Sequence, residues 1–347
     1  MEERTSFRED LVTIGLSLWI MVGLFVDAYN HVTNPDLETF WTPWHAIFYS
    51  GFLATAAWLV AIRLRRRPEI GADIFWAPQG YRLAMYGIAL FAAGGIGDAL
   101  WHEVFGVETS LDALLSPTHL LLYVGLTLII SAPVRARWLD ADVDPTNPPA
   151  PSLGSFFPAL ASLTFAATLT AFFFEYAWTP LELRDVLIPY NPATNSEEWA
   201  AFGFLTIVVT TLIAFTPLLV ASRRWRLPFG SVTTYMLLMN LLLLVGFDKD
   251  PDGFLATLAA GIVMDVLIRQ GAARRLVVVL PPLVLWASYF GLVDLGHELG
   301  WPPEIWGGSI FFAVLAAIAV DGVMSLAVAA ATVPEPSGVS RNVDAGT

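Results

Sequence analysis

Long apolar runs, broken by short polar stretches, dominate this chain. Ten of them approach the roughly 20 residues that cross a bilayer as a helix. They predict helices over 9–29, 43–63, 81–99, 117–135, 153–177, 199–221, 230–247, 253–269, 275–293 and 305–332. The predicted fold class is all-α, a polytopic transmembrane helical bundle of about ten spans. The hydrophilic stretch 138–152, rich in Asp and Pro, reads as an extended, solvated connector. It divides a four-span unit over 1–137 from a six-span unit over 153–332, and the two are expected to pack together as one membrane domain. The polar tail 333–347 is expected to be flexible.

Composition strengthens the membrane reading. Of 347 residues, 56% are hydrophobic, with a mean hydropathy of +0.62. Soluble domains hold about 45–50% apolar residues. The acidic start Met1-Glu2-Glu3 before the first apolar run reads as a retained first span, not a cleaved signal peptide. Arginines give an orientation. Arg63, Arg65, Arg66 and Arg67 follow the second run, Arg135 and Arg137 the fourth, and Arg223, Arg224 and Arg226 the sixth. Arg269, Arg274 and Arg275 lie between the eighth and ninth. The alternate loops are acidic: Asp36 and Glu38, then Glu103, Glu108 and Asp112, then Glu197 and Glu198, then Asp248, Asp250 and Asp252. Both termini are therefore expected on the cytoplasmic side of a cell membrane.

The net charge of −13 argues against a nucleic-acid partner, which needs a basic face. The absence of cysteine excludes disulfides, iron–sulfur ligation and thiolate chemistry. The seven methionines form no Met-x-x-Met cluster suited to Cu(I).

Four of the five histidines fall into two copies of one motif. The first is Asp27-x-x-x-His31 followed by Thr42-Pro43-Trp44-His45; the second is Asp98-x-x-x-His102 followed by Ser116-Pro117-Thr118-His119. Gly23 and Gly94 stand four residues before each aspartate. Tyr49 and Tyr123 follow the last histidine by four, and Gly51 and Gly125 by six. Residues four apart share a helix face, so each Asp/His pair points at one spot. Thr42 and Ser116 suit helix N-caps and Pro43 and Pro117 the first helical position, which puts His45 and His119 in an opening turn. Each hairpin would then bring two groups from one helix end to a third at the next helix start. The two hairpins form a parallel repeat, expected around a pseudo-twofold axis along the membrane normal.

Imidazole with carboxylate suits Cu(II), Zn or Fe(II). A lone Asp-x-x-x-His at a helix end is ordinarily a hydrogen-bonded pair or an interfacial anchor; duplication shifts the reading toward a metal. The expected ligands are Asp27, His31 and His45, and Asp98, His102 and His119, as two separate sites or one two-metal centre. Glu103, Glu108, Glu175, Asp294 and His297 are candidate orienting partners. Trp41, Trp44 and Trp101 read as an interfacial aromatic belt. Asp265 is expected to pair with Arg269, and Asp321, in the last run, either to accept hydrogen bonds from a threonine or Asn240 or to carry protons or cations.

The spacing of Asp27, His31 and His45 resembles the metal site in the C subunit of the particulate methane and ammonia monooxygenases. Asp98, His102 and His119 match it with a longer loop. The resemblance covers some 20 residues per copy and implies copper and an oxidative role; the duplication and the ten spans depart from that family. The sequence thus predicts a membrane metalloprotein with an extracytoplasmic site, copper ranking ahead of zinc or iron, in redox chemistry or metal handling. The alternative is a metal-cation or proton-coupled transporter with Asp321 at its centre, and a third reading is bis-histidine haem binding.

Overall fold

Each of the ten predicted segments is helical. The structure, a computed structural model, describes residues 4–33, 41–66, 73–106, 108, 111–140, 148–177, 190–191, 193, 196–247, 251–296 and 299–331. Its helices are α1 (Phe7–Thr33), α2 (Pro43–Arg66), α3 (Arg82–Phe105), α4 (Leu111–Leu115), α5 (Pro117–Ile130), α6 (Ala132–Trp138), α7 (Leu153–Phe173), α8 (Ser196–Arg224), α9 (Ser231–Phe247), α10 (Pro251–Arg269), α11 (Arg274–Leu295) and α12 (Pro303–Ala331). A single 3-10 turn spans Glu175–Ala177, and no strand occurs among the described residues.

Seven of these, α1, α2, α3, α7, α8, α11 and α12, are long and apolar enough to cross a membrane. The fourth predicted span is two helices, α5 and α6, bent by 47°. Pro133 explains the bend: it enters the first turn of α6 and has no N–H to continue the α5 ladder. Counting that pair as one span gives eight. The other two predicted spans are weaker membrane candidates. α9 has 17 residues, the lower limit for crossing, and α10 carries Asp252, Asp265 and Arg269 within 19 residues.

α7 is the centre of the bundle. It packs against α1, α5 and α6 on one side of the connector and α8 and α9 on the other. Its buried Ala159, Ala161, Ser162, Thr164, Ala167, Thr168 and Ala171 permit close helix approach, the means by which helices associate where lipid supplies no hydrophobic drive. Arginines tie the helix ends opposite the histidines. Arg66 pairs with Glu9 at 2.7 Å, Arg4 with Asp140 at 2.8 Å, and Arg135 donates to Gly80 O at 3.1 Å.

Two acids differ from expectation. Asp265 does not pair with Arg269. It caps the start of α9, accepting from Val232 N at 3.1 Å, Thr233 N at 2.8 Å and Thr233 Oγ1 at 2.6 Å. A carboxylate there meets the positive end of the helix dipole, while Arg269 stacks over the Phe229 ring at 4.9 Å. Asp321 is held by two arginines, Arg223 at 2.7 Å and Arg274 at 2.6 Å. Asn240 instead donates to Met236 O.

Glycines set the hairpin spacing. A Cβ on Gly23 would stand 2.7 Å from Phe48 Cα, and one on Gly125 2.7 Å from Phe91 N. Gly23→Ala and Gly125→Ala are expected to lower stability by about 1–3 kcal/mol, the cost of overpacking. Gly15→Ala, which meets nothing within 4 Å, is expected to be neutral or stabilising. Thermal unfolding in detergent micelles distinguishes these outcomes.

Candidate metal centre

Helix capping delivers the third member of each set. Thr42 Oγ1 accepts from His45 N at 3.2 Å, and Ser116 Oγ accepts from His119 N at 3.4 Å with Pro117 opening α5. His45 and His119 therefore project from the first turns of α2 and α5, toward the last turns of α1 and α3, where the Asp/His pairs stand. The glycines keep each helix pair close enough for these groups to meet.

In the first set, Asp27 Oδ2 lies 3.8 Å from His31 Nε2 and 3.4 Å from His45 Nε2. In the second, Asp98 Oδ1 lies 3.6 Å from His102 Nε2 and 3.0 Å from His119 Nε2. The three donor atoms of each set lie within 4.8 Å of one another. Ligands about 2.1 Å from a common ion stand about 3.0 Å apart at right angles and about 3.4 Å apart at tetrahedral angles. The observed separations fall at or slightly above these values, so each set fits around an ion with small side-chain adjustments.

The imidazoles are oriented by their other nitrogens. His102 Nδ1 faces Gly106 O at 3.1 Å, and His119 Nδ1 faces Ala113 O. A carbonyl only accepts, so each Nδ1 carries a proton and each Nε2 is turned toward Asp98. His45 Nδ1 is held by Thr42 Oγ1 at 3.1 Å.

The sets differ in the support of their carboxylates. Asp98 accepts from Thr118 Oγ1 at 3.0 Å and Tyr49 Oη at 3.4 Å. Asp27 Oδ1 is buried with no hydrogen-bond partner among the described residues. Trp44 occupies the place in the first motif that Thr118 holds in the second, and an indole there offers Asp27 no hydroxyl.

A cavity of about 150 Å³ joins the sets. By the same measure a water needs about 10–15 Å³, so there is room for ions with open coordination positions. Asp27, His31, His45, Asp98 and His119 line it, as do Glu108 and Glu175; Leu24, Phe48, Leu122, Leu126, Leu169 and Phe172 supply apolar walls.

Of the candidate orienting groups, Glu108 and Glu175 thus reach the cavity. Glu103 and Asp294 are exposed and do not line it, and Asp321 is committed to its arginines. His297 lies outside the described residues. Tyr49 and Thr118 join the site as hydrogen-bond donors that the motif alone did not assign; the signal for Tyr49 was its fixed offset from His45. Trp41 is 78% exposed, as an interfacial position requires, whereas Trp44 and Trp101 are half-buried.

Fold and site together define a multi-span helical membrane protein with two Asp/His/His groups able to hold metal ions. No protein-family model, curated protein or solved structure matches the chain.

Removing the hydroxyl that supports Asp98 tests the arrangement. Thr118→Val is expected to weaken Cu(II) binding at the second set by roughly 10–100-fold, the usual cost of losing a ligand's hydrogen-bond partner. Titration of the purified protein with Cu(II) measures it; unchanged affinity would show that Thr118 does not tune the site.

Proposed function

We propose that this chain is an integral membrane metalloprotein that holds transition-metal ions through Asp27, His31 and His45 and through Asp98, His102 and His119. The single observation that carries the reading is the convergence of one carboxylate and two imidazoles in each set, with donor atoms all within 4.8 Å of one another. Copper stands first because neutral imidazoles with carboxylate favour it over other divalent first-row metals, and because the motif resembles that of the monooxygenase C subunit. Two histidines and one carboxylate leave coordination positions open, so a bound ion would supply Lewis acidity or a redox couple. Redox chemistry or metal handling follows as the role.

The two hairpins are read as copies of one unit. Equivalent glycine contacts support this: Gly23 meets Phe48 and Gly94 meets Leu122, while Gly51 meets Ile20 and Gly125 meets Phe91. Each partner is offset between copies by the same 71 or 74 residues as the motif itself. The arginine-rich helix ends are assigned to the cytoplasm by the positive-inside rule, which puts the metal sites at the extracytoplasmic ends of α1, α2, α3 and α5.

The transporter reading loses its central residue, since Asp321 is neutralised by Arg223 and Arg274.

Metal analysis of protein purified after Cu(II) reconstitution tests the proposal. His45→Ala and His119→Ala are each expected to lose about one bound equivalent, and the double variant nearly all copper. Wild-type protein that retains none would overturn the reading. Asp321→Asn is expected to leave copper content unchanged while lowering stability by roughly 1–3 kcal/mol, a part-exposed version of breaking a buried ion pair.

A further inference from the structure

The two Asp/His/His sets do not stand apart. The His45 ring of the first lies 6.4 Å from the His102 ring of the second, centroid to centroid. Tyr49, one turn beyond His45 on α2, reaches across to donate to Asp98 on α3. Gly95 admits it: a Cβ there would stand 2.7 Å from Tyr49 Cε1. The corresponding Tyr123 does not reciprocate; its hydroxyl meets Thr170 Oγ1 at 3.2 Å.

Charge points the same way. Asp27, Asp98, Glu108 and Glu175 all line one cavity, and among the described residues no arginine or lysine does. Buried carboxylates need compensation by opposite charge. Glu108 is the least compensated. Its side chain is only 10% exposed, and neither of its oxygens has a hydrogen-bond partner among the described residues. Its Oε2 lies 3.4 Å from His102 Nδ1, but the proton on that nitrogen is directed to Gly106 O. Divalent cations bound among these carboxylates would offset their charge.

Building on the metal-binding reading above, we propose that the two sets form one dinuclear centre for divalent ions. Glu108 supplies a carboxylate ligand beyond the six motif residues, and Glu175 stands on the cavity wall as a second. Tyr49 is a positioning residue that couples the hairpins through Asp98.

Titration of the detergent-solubilised protein with Cu(II), followed by electron paramagnetic resonance with an oxidant in excess, tests this. The expected result is two copper ions per chain. At full loading they show magnetic interaction, as a half-field line or as fewer detected spins than ions bound. Two ions giving two isolated signals that sum to two spins, or only one ion per chain, would overturn the dinuclear centre and leave the metal-binding reading intact. No bound copper would overturn that reading itself. Glu108→Gln, a near-isosteric change, is expected to weaken the second equivalent by roughly tenfold or more with circular dichroism and elution volume unchanged. Wild-type affinity and spectrum in a folded Glu108→Gln protein would remove Glu108 from the ligand set.

Discussion

A carboxylate among apolar helices must be neutralised, and this constraint orders much of the bundle. The cost of a buried charge far exceeds what a few contacts return, so each intramembrane acid needs a dedicated partner. Asp265 sits on the N-terminus of α9, where backbone N–H groups and the helix dipole receive it. Asp321 is clamped by Arg223 and Arg274. Asp98 is surrounded by Thr118, Tyr49, His102 and His119. At the cavity, Asp27 and Glu108 present oxygens that have no hydrogen-bond partner among the described residues.

Geometry at that cavity depends on how closely helices approach. A histidine in an opening turn meets an Asp/His pair in a closing turn only if the two helices nearly touch. Gly23 and Gly51 allow this for α1 and α2, and Gly94 and Gly125 for α3 and α5. α7 then supplies Leu169 and Phe172 to the cavity wall. Small residues thus act on the site without touching it, by setting the distance across which its ligands face one another.

The sequence spoke clearly about helices and about the two triads because both rest on short-range rules. Apolar length marks spans, four-residue spacing marks a helix face, and Ser/Thr-Pro marks a helix start. What it left open depended on contacts between distant segments. The acid Asp321 has no partner nearby in sequence; its arginines lie 98 and 47 residues away. Asp265 looked matched to Arg269 by spacing, yet the adjoining helix terminus offered three hydrogen bonds. Glu108 and Glu175 could not be separated from Glu103 and Asp294 by composition, since exposure is decided by how the loops and helix ends fold. The bend at Ser131 was hidden because a proline in the second position of a helix reads equally as a start or as a kink.

The two hairpins differ in a way that bears on which contribution an ion would make. A buried pair kept only for structure would have its polar atoms paired off. The second set comes close to that condition: Asp98 has two hydroxyl donors and a histidine at 3.0 Å, and its imidazoles are anchored to backbone carbonyls. This set is organised in advance, so binding there costs little rearrangement. The first set lacks that support. Trp44 stands in place of the hydroxyl, Asp27 keeps a buried oxygen without a donor among the described residues, and its histidines stand 3.4–3.8 Å from the carboxylate. An ion at the first set would therefore remove a penalty the folded chain otherwise carries, and its binding energy would appear as stability of the α1–α2 hairpin. At the second set the same ion would displace interactions already made. The two sets are thus inequivalent despite their common motif, the second organised by its own hydrogen bonds and the first left to be completed by an ion.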